Sequence, residues 1–377
     1  MVINKKYRIL HLVHGLHYGG VLTIIKSITE LNQDNTHTFI IKYSGNGVNF
    51  EKGNLLINKS NTKLIIPVLF SIIKYIRKNK INIIHCHPAL DTLVYAVLVK
   101  IIFFGKVKLI IHEHGAIIGP ESNNTKFYRK YLLLNKIIKP FVNNYICVSE
   151  YTKDQLIKRI KISQEKISVL HNFVNTTKYN LTTIDKDKKH NLAKIWNIYD
   201  DHFNIGFVGR LVKIKGWEDF VDAAKTLVKK YENLRFYIAG DGPERDLCKE
   251  KIQHNGLNEY VFDLGYIPEP VYFYSMLNLF VISSHQEGVG IVQLEAQSMG
   301  VPVIASNIPS LMEVLNEDNS NNFRVFDSED LAKTIENVFL NKELQKKLIK
   351  NGSINAQQYS FDNYIKKLEK IYLLVNK

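Results

Sequence analysis

Leu279-Phe280-Val281-Ile282-Ser283-Ser284-His285-Gln286-Glu287-Gly288-Val289-Gly290-Ile291-Val292-Gln293-Leu294-Glu295-Ala296 passes from an apolar run through a glycine-bearing loop into a helical pattern. Leu279–Ile282 is apolar on both faces, as a strand buried inside a parallel sheet must be. The helical pattern spans Gly290–Met299, and Pro302–Ala305 is a second buried strand. Strand, helix and strand in succession imply a doubly wound α/β sheet.

The alternation extends over the whole chain. Further strands are expected at Arg8–Val13, Thr38–Lys42, Lys63–Ile66, Asn82–Cys86, Val107–His112, Asn144–Ser149 and Ile167–His171, then at Phe203–Val208, Leu234–Ala239 and Tyr260–Leu264. Amphipathic segments such as Gly216–Tyr231 lie between them. At 377 residues the chain exceeds one ordinary core. The polar stretch Asn175–Lys189 reads as the linker. The expectation is two Rossmann-like domains, 1–180 and 181–361, facing across a cleft, with a C-terminal helix at 362–377 packed back on the first.

The composition, 45% hydrophobic and 23% charged, is globular. Cys86, Cys147 and Cys248 are far apart, without C-x-x-C spacing, which argues against a zinc ribbon or disulfide framework and for a reducing, cytoplasmic compartment. The N-terminus lacks a signal-peptide layout, and the apolar stretch Thr92–Phe104 is broken by Lys100 and too short to span a bilayer. Residues 1–180 hold 26 Lys/Arg against 9 Asp/Glu, a net +17, while the rest of the chain carries −3. Such asymmetry points to an anionic partner for the first half, although AT-rich coding bias would also inflate lysine. Aromatic platforms of a nucleic-acid module are missing, so no nucleic-acid partner is expected.

Ligands of open α/β sheets bind beyond the carboxyl ends of the strands, so the residues just after each strand carry the chemistry. After the first strand comes His14-Gly15-Leu16-His17-Tyr18-Gly19-Gly20, where Gly19 and Gly20 would let backbone amides approach a phosphate; a tight structural turn explains them as well. It is not the G-x-G-x-x-G of nicotinamide enzymes. After Val107–His112 comes His112-Glu113-His114-Gly115, where a sugar- or phosphate-bonding histidine competes with a structural one. A metal reading lacks a third ligand fixed by spacing. After Phe203–Val208, Arg210 and Lys215 supply two cations beside a helix start, suited to a diphosphate. Gly240-Asp241-Gly242-Pro243 marks a sharp turn after Leu234–Ala239. Glu287 ends the loop after Leu279–Ile282, and Glu295 lies about two turns further at 3.6 residues per turn. Gly288, Val289, Gly290, Ile291 and Val292 between them offer backbone amides. Asp185-Lys186-Asp187 has the form D-x-D but sits in a lysine-rich linker, so it reads as solvated charge.

Glu287 to Glu295 resembles the E-x7-E motif of retaining GT-B glycosyltransferases of family four, and the glycine pair Gly19-Gly20, His114-Gly115, Val148-Ser149, Asn172, Gly209-Arg210-Leu211 with Lys215-Gly216, Gly240-Asp241-Gly242-Pro243 and Gly300-Val301-Pro302-Val303-Ile304 extend the resemblance along nearly the whole chain. The resemblance implies that Arg210 and Lys215 bind the donor diphosphate, that Glu287 touches the transferred sugar, that Glu295 binds the ribose, that His114 shapes the reaction centre, and that Gly19 lies beside phosphates and acceptor. It departs from the family at Asn172-Phe173, where Asn-Gly is usual, and in the residues after His114-Gly115.

The expected activity is transfer of a hexosyl or N-acetylhexosaminyl group from a nucleotide-diphosphate sugar to a glycan or lipid-linked acceptor, with retention, without cofactor or essential metal, in surface polysaccharide or lipopolysaccharide synthesis. A nucleotide-sugar epimerase of the same fold and a non-catalytic sugar-binding protein are the rivals. Lys126–Lys139 reads as a basic amphipathic helix able to lie on an anionic membrane, so a cytoplasmic protein peripheral to the inner face of the cell membrane is expected.

Overall fold

A computed structural model of the chain describes residues 7–15, 20–31, 36–42, 54–57, 65–114 and 126–376. The chain divides into two compact units, one of residues up to Asn172 joined by the chain from Asp362 on, the other Phe173–Phe361.

The first unit holds β1 (Ile9–Gly15), β2 (Thr36–Lys42), β3 (Asn54–Ile57), β4 (Ile83–Cys86), β5 (Lys108–Glu113), β6 (Asn144–Cys147) and β7 (Ile167–Val169). They form one parallel sheet in the order β3-β2-β1-β4-β5-β6-β7. Its helices are α1 (Gly20–Leu31), α2 (Ile65–Asn79), α3 (Leu90–Ile102), α4 (Lys126–Ile138) and α5 (Glu150–Ile160). Two sequence expectations change here. The strand expected at Lys63–Ile66 reaches into α2, where Val68, Ile72 and Ile76 are buried at helical spacing. The strand expected at Asn144–Ser149 stops at Cys147, because the Ser149 hydroxyl accepts from Thr152 N at 3.0 Å and caps α5.

The second unit holds β8 (Phe203–Val208), β9 (Leu234–Ala239), β10 (Val261–Gly265), β11 (Leu279–Ile282), β12 (Val303–Ser306) and β13 (Asn321–Phe323), parallel in the order β10-β9-β8-β11-β12-β13. Its helices are α6 (Lys186–Trp196), α7 (Trp217–Leu227), α8 (Arg245–His254), α9 (Pro270–Tyr274), α10 (Val292–Ser298), α11 (Pro309–Met312), α12 (Ser328–Leu340) and α13 (Lys342–Gln358). The short, polar β13 carries no strand pattern and was not expected. Alternate residues of the central strands feed two separate cores: Phe236, Ile238, Leu279, Val281 and Ile304 one, Tyr237, Ala239, Phe280, Ile282, Val303 and Ala305 the other. Period-two burial on both faces is what the uninterrupted apolar runs required. The last helix, α14 (Phe361–Val375), belongs to the first unit from Asp362 on.

The expected boundary at 180 falls inside the second unit. Val174 and Tyr179 are buried in its core, and Val174 N donates to Tyr359 O at 2.9 Å. The expected linker is ordered rather than loose: Asn180 caps a short turn and Asp185 caps α6.

β8 and β11 are neighbours, so the loops leaving them must pass closely. Gly216 sits at φ +63°, and a Cβ there would lie 1.9 Å from the Ser283 carbonyl oxygen. Alanine would meet both that backbone clash and left-handed strain, worth about 1–3 kcal/mol for the strain alone. Gly216→Ala should therefore lower the urea midpoint of the second unit, which contains both tryptophans, Trp196 and Trp217, so indole fluorescence reads it alone. An unshifted midpoint would contradict the close approach.

Candidate functional site

In each sheet the strand order reverses once, between β1 and β4 and between β8 and β11. Crevices at such reversals, beyond the carboxyl ends, are where open α/β sheets bind ligands. The sequence candidates fall at these two places.

In the second unit, β8 leads into Gly209–Gly216 and β11 into Ser283–Ile291. The loops are tied together: His285 N donates to Ile214 O at 2.8 Å and the Ser283 hydroxyl to Lys215 O at 3.3 Å. Arg210 leaves β8 and is exposed. Lys215 ends a single turn, Lys213–Lys215, rather than opening α7, and its ammonium ion-pairs with the Glu287 carboxylate. Glu287 also accepts from the Ser284 hydroxyl at 3.0 Å, and its carbonyl accepts from the Ser310 hydroxyl at 2.8 Å. The turn Gly240-Asp241-Gly242-Pro243 packs under this loop, since a Cβ on Gly242 would lie 2.3 Å from Leu211 O.

Glu295 was expected two turns along its helix. It lies in the first turn, because α10 begins only at Val292. It is buried, accepting from the Tyr274 hydroxyl at 3.0 Å and from Tyr179. Burial pushes its carboxyl above the usual range, and the two tyrosine hydroxyls oppose that rise. Neither tyrosine carries a sequence signal linking it to Glu295. Gly288 and Val289 are buried, while Gly290, Ile291 and Val292 are half-buried before α10.

Asp185 of the D-x-D string accepts from Lys188 N at 2.9 Å and caps α6, while Asp187 lies in the helix's first turn. Capping accounts for Asp185, and the helix dipole favours Asp187.

In the first unit, Gly19 and Gly115 lie outside the described residues, and Gly20 begins α1. His14, at the end of β1, is bonded through Nδ1 to Asp91 at 2.7 Å, and Asp91 also accepts from Thr92 N at 2.8 Å. This pair was not foreseen, since its members are 77 residues apart.

His114 belongs to a row of imidazoles. His11, His85 and His112 occupy the same face of β1, β4 and β5, with His87 and His114 just beyond the carboxyl ends. His85 Nε2 pairs with His112 Nδ1 at 3.0 Å, His11 Nδ1 with His87 Nε2 at 2.9 Å and His87 Nδ1 with His114 Nε2 at 2.9 Å. The rings also stack, His112 on His114 at 4.3 Å and His11 on His85 at 4.6 Å. Tyr372 of α14 bonds His85 Nδ1 at 2.8 Å. Spacing alone offered no third partner for His112 and His114; the adjacency of β4 and β5 supplies His85 and His87. The two H-x-H strings were the available signal, because residues two apart on a strand share a face. Glu113 points to the other face, where it accepts from the Tyr131 hydroxyl.

Burial holds the imidazoles neutral, pushing His114 down to about 3 and His85, His87 and His112 well below their ordinary value. Unfolded histidines titrate near 6.5. Below that pH the unfolded chain takes up protons that the folded unit refuses, so stability is full above about 6.5 and lost as pH falls toward 3. Burial pushes Glu113 up to about 7, so this one carboxyl costs stability as pH rises from 4.5 to that value. Amide exchange in β4 and β5, corrected for intrinsic rate, should lose protection on acidification below pH about 6. Constant protection down to pH about 4 would mean the rings are not neutral and buried.

Residues 188–354 match the family model of glycosyl transferases group 1, and residues 30–178 match that of glycosyltransferase family 4. A capsular polysaccharide biosynthesis glycosyltransferase, CapM of Staphylococcus aureus, is 27% identical over 66% of this chain and 65% of its own length. The O-antigen biosynthesis glycosyltransferase WclY of Escherichia coli is 34% identical over 35% of this chain and 36% of its own. Among solved structures, Anabaena Alr3699/HepE in complex with UDP and glucose superposes with a TM-score of 0.81 at 18% identity, covering 98% of this chain and 99% of that one. The two parallel α/β units are thus those of the GT-B fold, and the chain belongs to the group 1 glycosyltransferases of family 4.

Proposed function

We propose that the protein is a retaining, metal-independent transferase that moves a hexosyl or N-acetylhexosaminyl group from a nucleotide-diphosphate sugar to a glycan or lipid-linked acceptor in bacterial surface polysaccharide or lipopolysaccharide synthesis. The observation that carries this reading is the Lys215–Glu287 pair at the β8/β11 reversal, with exposed Arg210 on the loop leaving β8 and buried Glu295 in the first turn of α10. A solved structure of the same fold is described as a complex with UDP and glucose, which supports a nucleotide-sugar donor.

Breaking the bond from the anomeric carbon to the diphosphate loads negative charge on the leaving phosphate. Arg210 and Lys215 stabilise that charge as fixed cations, helped by loop amides from Gly288 to Val292. Glu287 meets the sugar and Glu295 the ribose hydroxyls. The acceptor hydroxyl attacks from the leaving-group side and its proton passes to the departing phosphate, with His114, Gly19 and Gly20 on the acceptor side. Replacing Arg210 or Lys215 by Ala should cost about 2–4 kcal/mol of transition-state stabilisation. Glu295→Gln should weaken binding of the free nucleoside diphosphate in calorimetry, while Glu287→Gln lowers turnover and spares that affinity. Activity should survive EDTA. Near-normal turnover in both cation variants would sink the assignment.

The His14–Asp91 pair favours one second reading. An imidazole oriented by a carboxylate can act as a base toward an acceptor hydroxyl, and base-assisted attack from the opposite face gives inversion. The anomeric configuration of the product, read by NMR, separates the two mechanisms.

We further propose that α4 rests on an anionic membrane at the inner face of the cell membrane. Tyr131, Asn135 and Ile138 of this helix are buried in its own unit, so they are not free for lipid. Leu133 and Ile137 remain exposed beside Arg129, Lys130 and Lys136. No helix among the described residues is long and apolar enough to cross a membrane. Cosedimentation with anionic vesicles should exceed that with neutral ones and fall in Leu133→Ser/Ile137→Ser; indifference to lipid charge would refute it.

A further inference from the structure

His87, His112 and His114 each bring a ring nitrogen to within 4.8 Å of the other two. We propose that this triad, at the carboxyl ends of β4 and β5, binds a divalent transition-metal cation of borderline softness, zinc above all. Three features of the surroundings point to an ion.

First, His112 Nε2 and His114 Nδ1 are buried and find no hydrogen-bond partner among the described residues. Buried polar nitrogens without partners are uncommon and call for an explanation, a bound ion among them. Second, the rings are already oriented from behind. His112 Nδ1 is held by His85 Nε2 at 3.0 Å, His85 Nδ1 by the Tyr372 hydroxyl at 2.8 Å, and His87 Nε2 by His11 Nδ1 at 2.9 Å. Metal-ligating histidines are typically fixed in this way through their second nitrogen. Those bonds leave His112 Nε2 and His87 Nδ1 for the ion, with either nitrogen of His114. Third, only the 2.9 Å bond between His87 and His114 would be exchanged for coordination. Two nitrogens bound tetrahedrally at about 2.0–2.1 Å from zinc lie roughly 3.3 Å apart, between the 2.9 Å of that pair and the 4.8 Å within which all three nitrogens lie.

The donor chemistry selects the ion. Three imidazoles suit zinc, copper or nickel, whereas magnesium and calcium require oxygen. Glu113, the nearest carboxylate in sequence, is committed to Tyr131 on the other face of the sheet. His114 is the least buried of the three and provides the way in, with the fourth position left to water. The ion would cross-link β4 and β5. The site shares His114 with the acceptor side proposed above, but that mechanism asks for no metal, so the site is tested by binding rather than by activity.

The test uses full-length protein made without a histidine tag and stripped by dialysis against chelator. Calorimetric titration with zinc should show one tight equivalent per chain, undisturbed by excess magnesium. Cobalt should give the visible absorption of a tetrahedral site. His87→Gln and His112→Gln should each weaken zinc binding by more than about 100-fold, since disturbing even an outer partner typically costs 10–100-fold. X-ray absorption at the zinc edge of the unmodified protein should show three imidazole nitrogens, a readout that needs no variant to fold. Absence of stoichiometric zinc binding, a first shell without imidazoles, or full affinity in both variants would overturn the proposal.

Discussion

A strand covered on both faces has only its ends left for polar chemistry. In the second unit, Leu279 and Val281 enter one core while Phe280 and Ile282 enter the other, so β11 can expose functional groups only where it stops, at Ser283. Sheet order then decides which stopping points meet. Because β8 and β11 are neighbours, Lys215 meets Glu287, 72 residues away. The contact of Gly216 with the Ser283 carbonyl holds the two loops at that separation, and the hydrogen bond from His285 N to Ile214 O fixes their register.

The Lys215–Glu287 pair is partly buried, with side-chain exposures of 25% and 11%. Two charges that neutralise each other are a modest stabiliser when half-solvated. Glu295 is placed differently: its two tyrosine hydroxyls satisfy it inside the protein, so its carboxyl is positioned in advance of any ligand. The two glutamates of one motif therefore have unlike electrostatic settings.

The first unit departs from the all-apolar pattern. Leu10, Leu12, Ile84, Cys86, Leu109 and Ile111 fill one core, while His11, His85 and His112 occupy the opposite face of the same strands. Imidazoles are tolerated there because they bond and stack with one another and with Tyr372 of α14. The C-terminal helix thus completes a polar layer in the unit that the chain left at Asn172. Among the described residues, His112 Nε2 and His114 Nδ1, both without a hydrogen-bond partner, lie at the carboxyl end of β5.

The sequence by itself determined the α/β class, most of the strands and the family, and it showed that Arg210 and Glu287 follow buried strands, because two-sided burial writes uninterrupted apolar runs whose ends are easy to read. It misplaced the strand at Lys63–Ile66, missed the polar edge strand β13 and put the unit boundary past Val174 and Tyr179, since neither burial at an edge nor the core a loop residue joins is a local property. Only the tertiary structure decided that Lys215 pairs with Glu287, that Tyr179 and Tyr274 hold Glu295, that Asp91 orients His14, and that His11, His85, His87, His112 and His114 form one array. Each of these joins residues from separate strands or loops, and strand order, which brings them together, is set by how the helices cover the sheet rather than by any one segment.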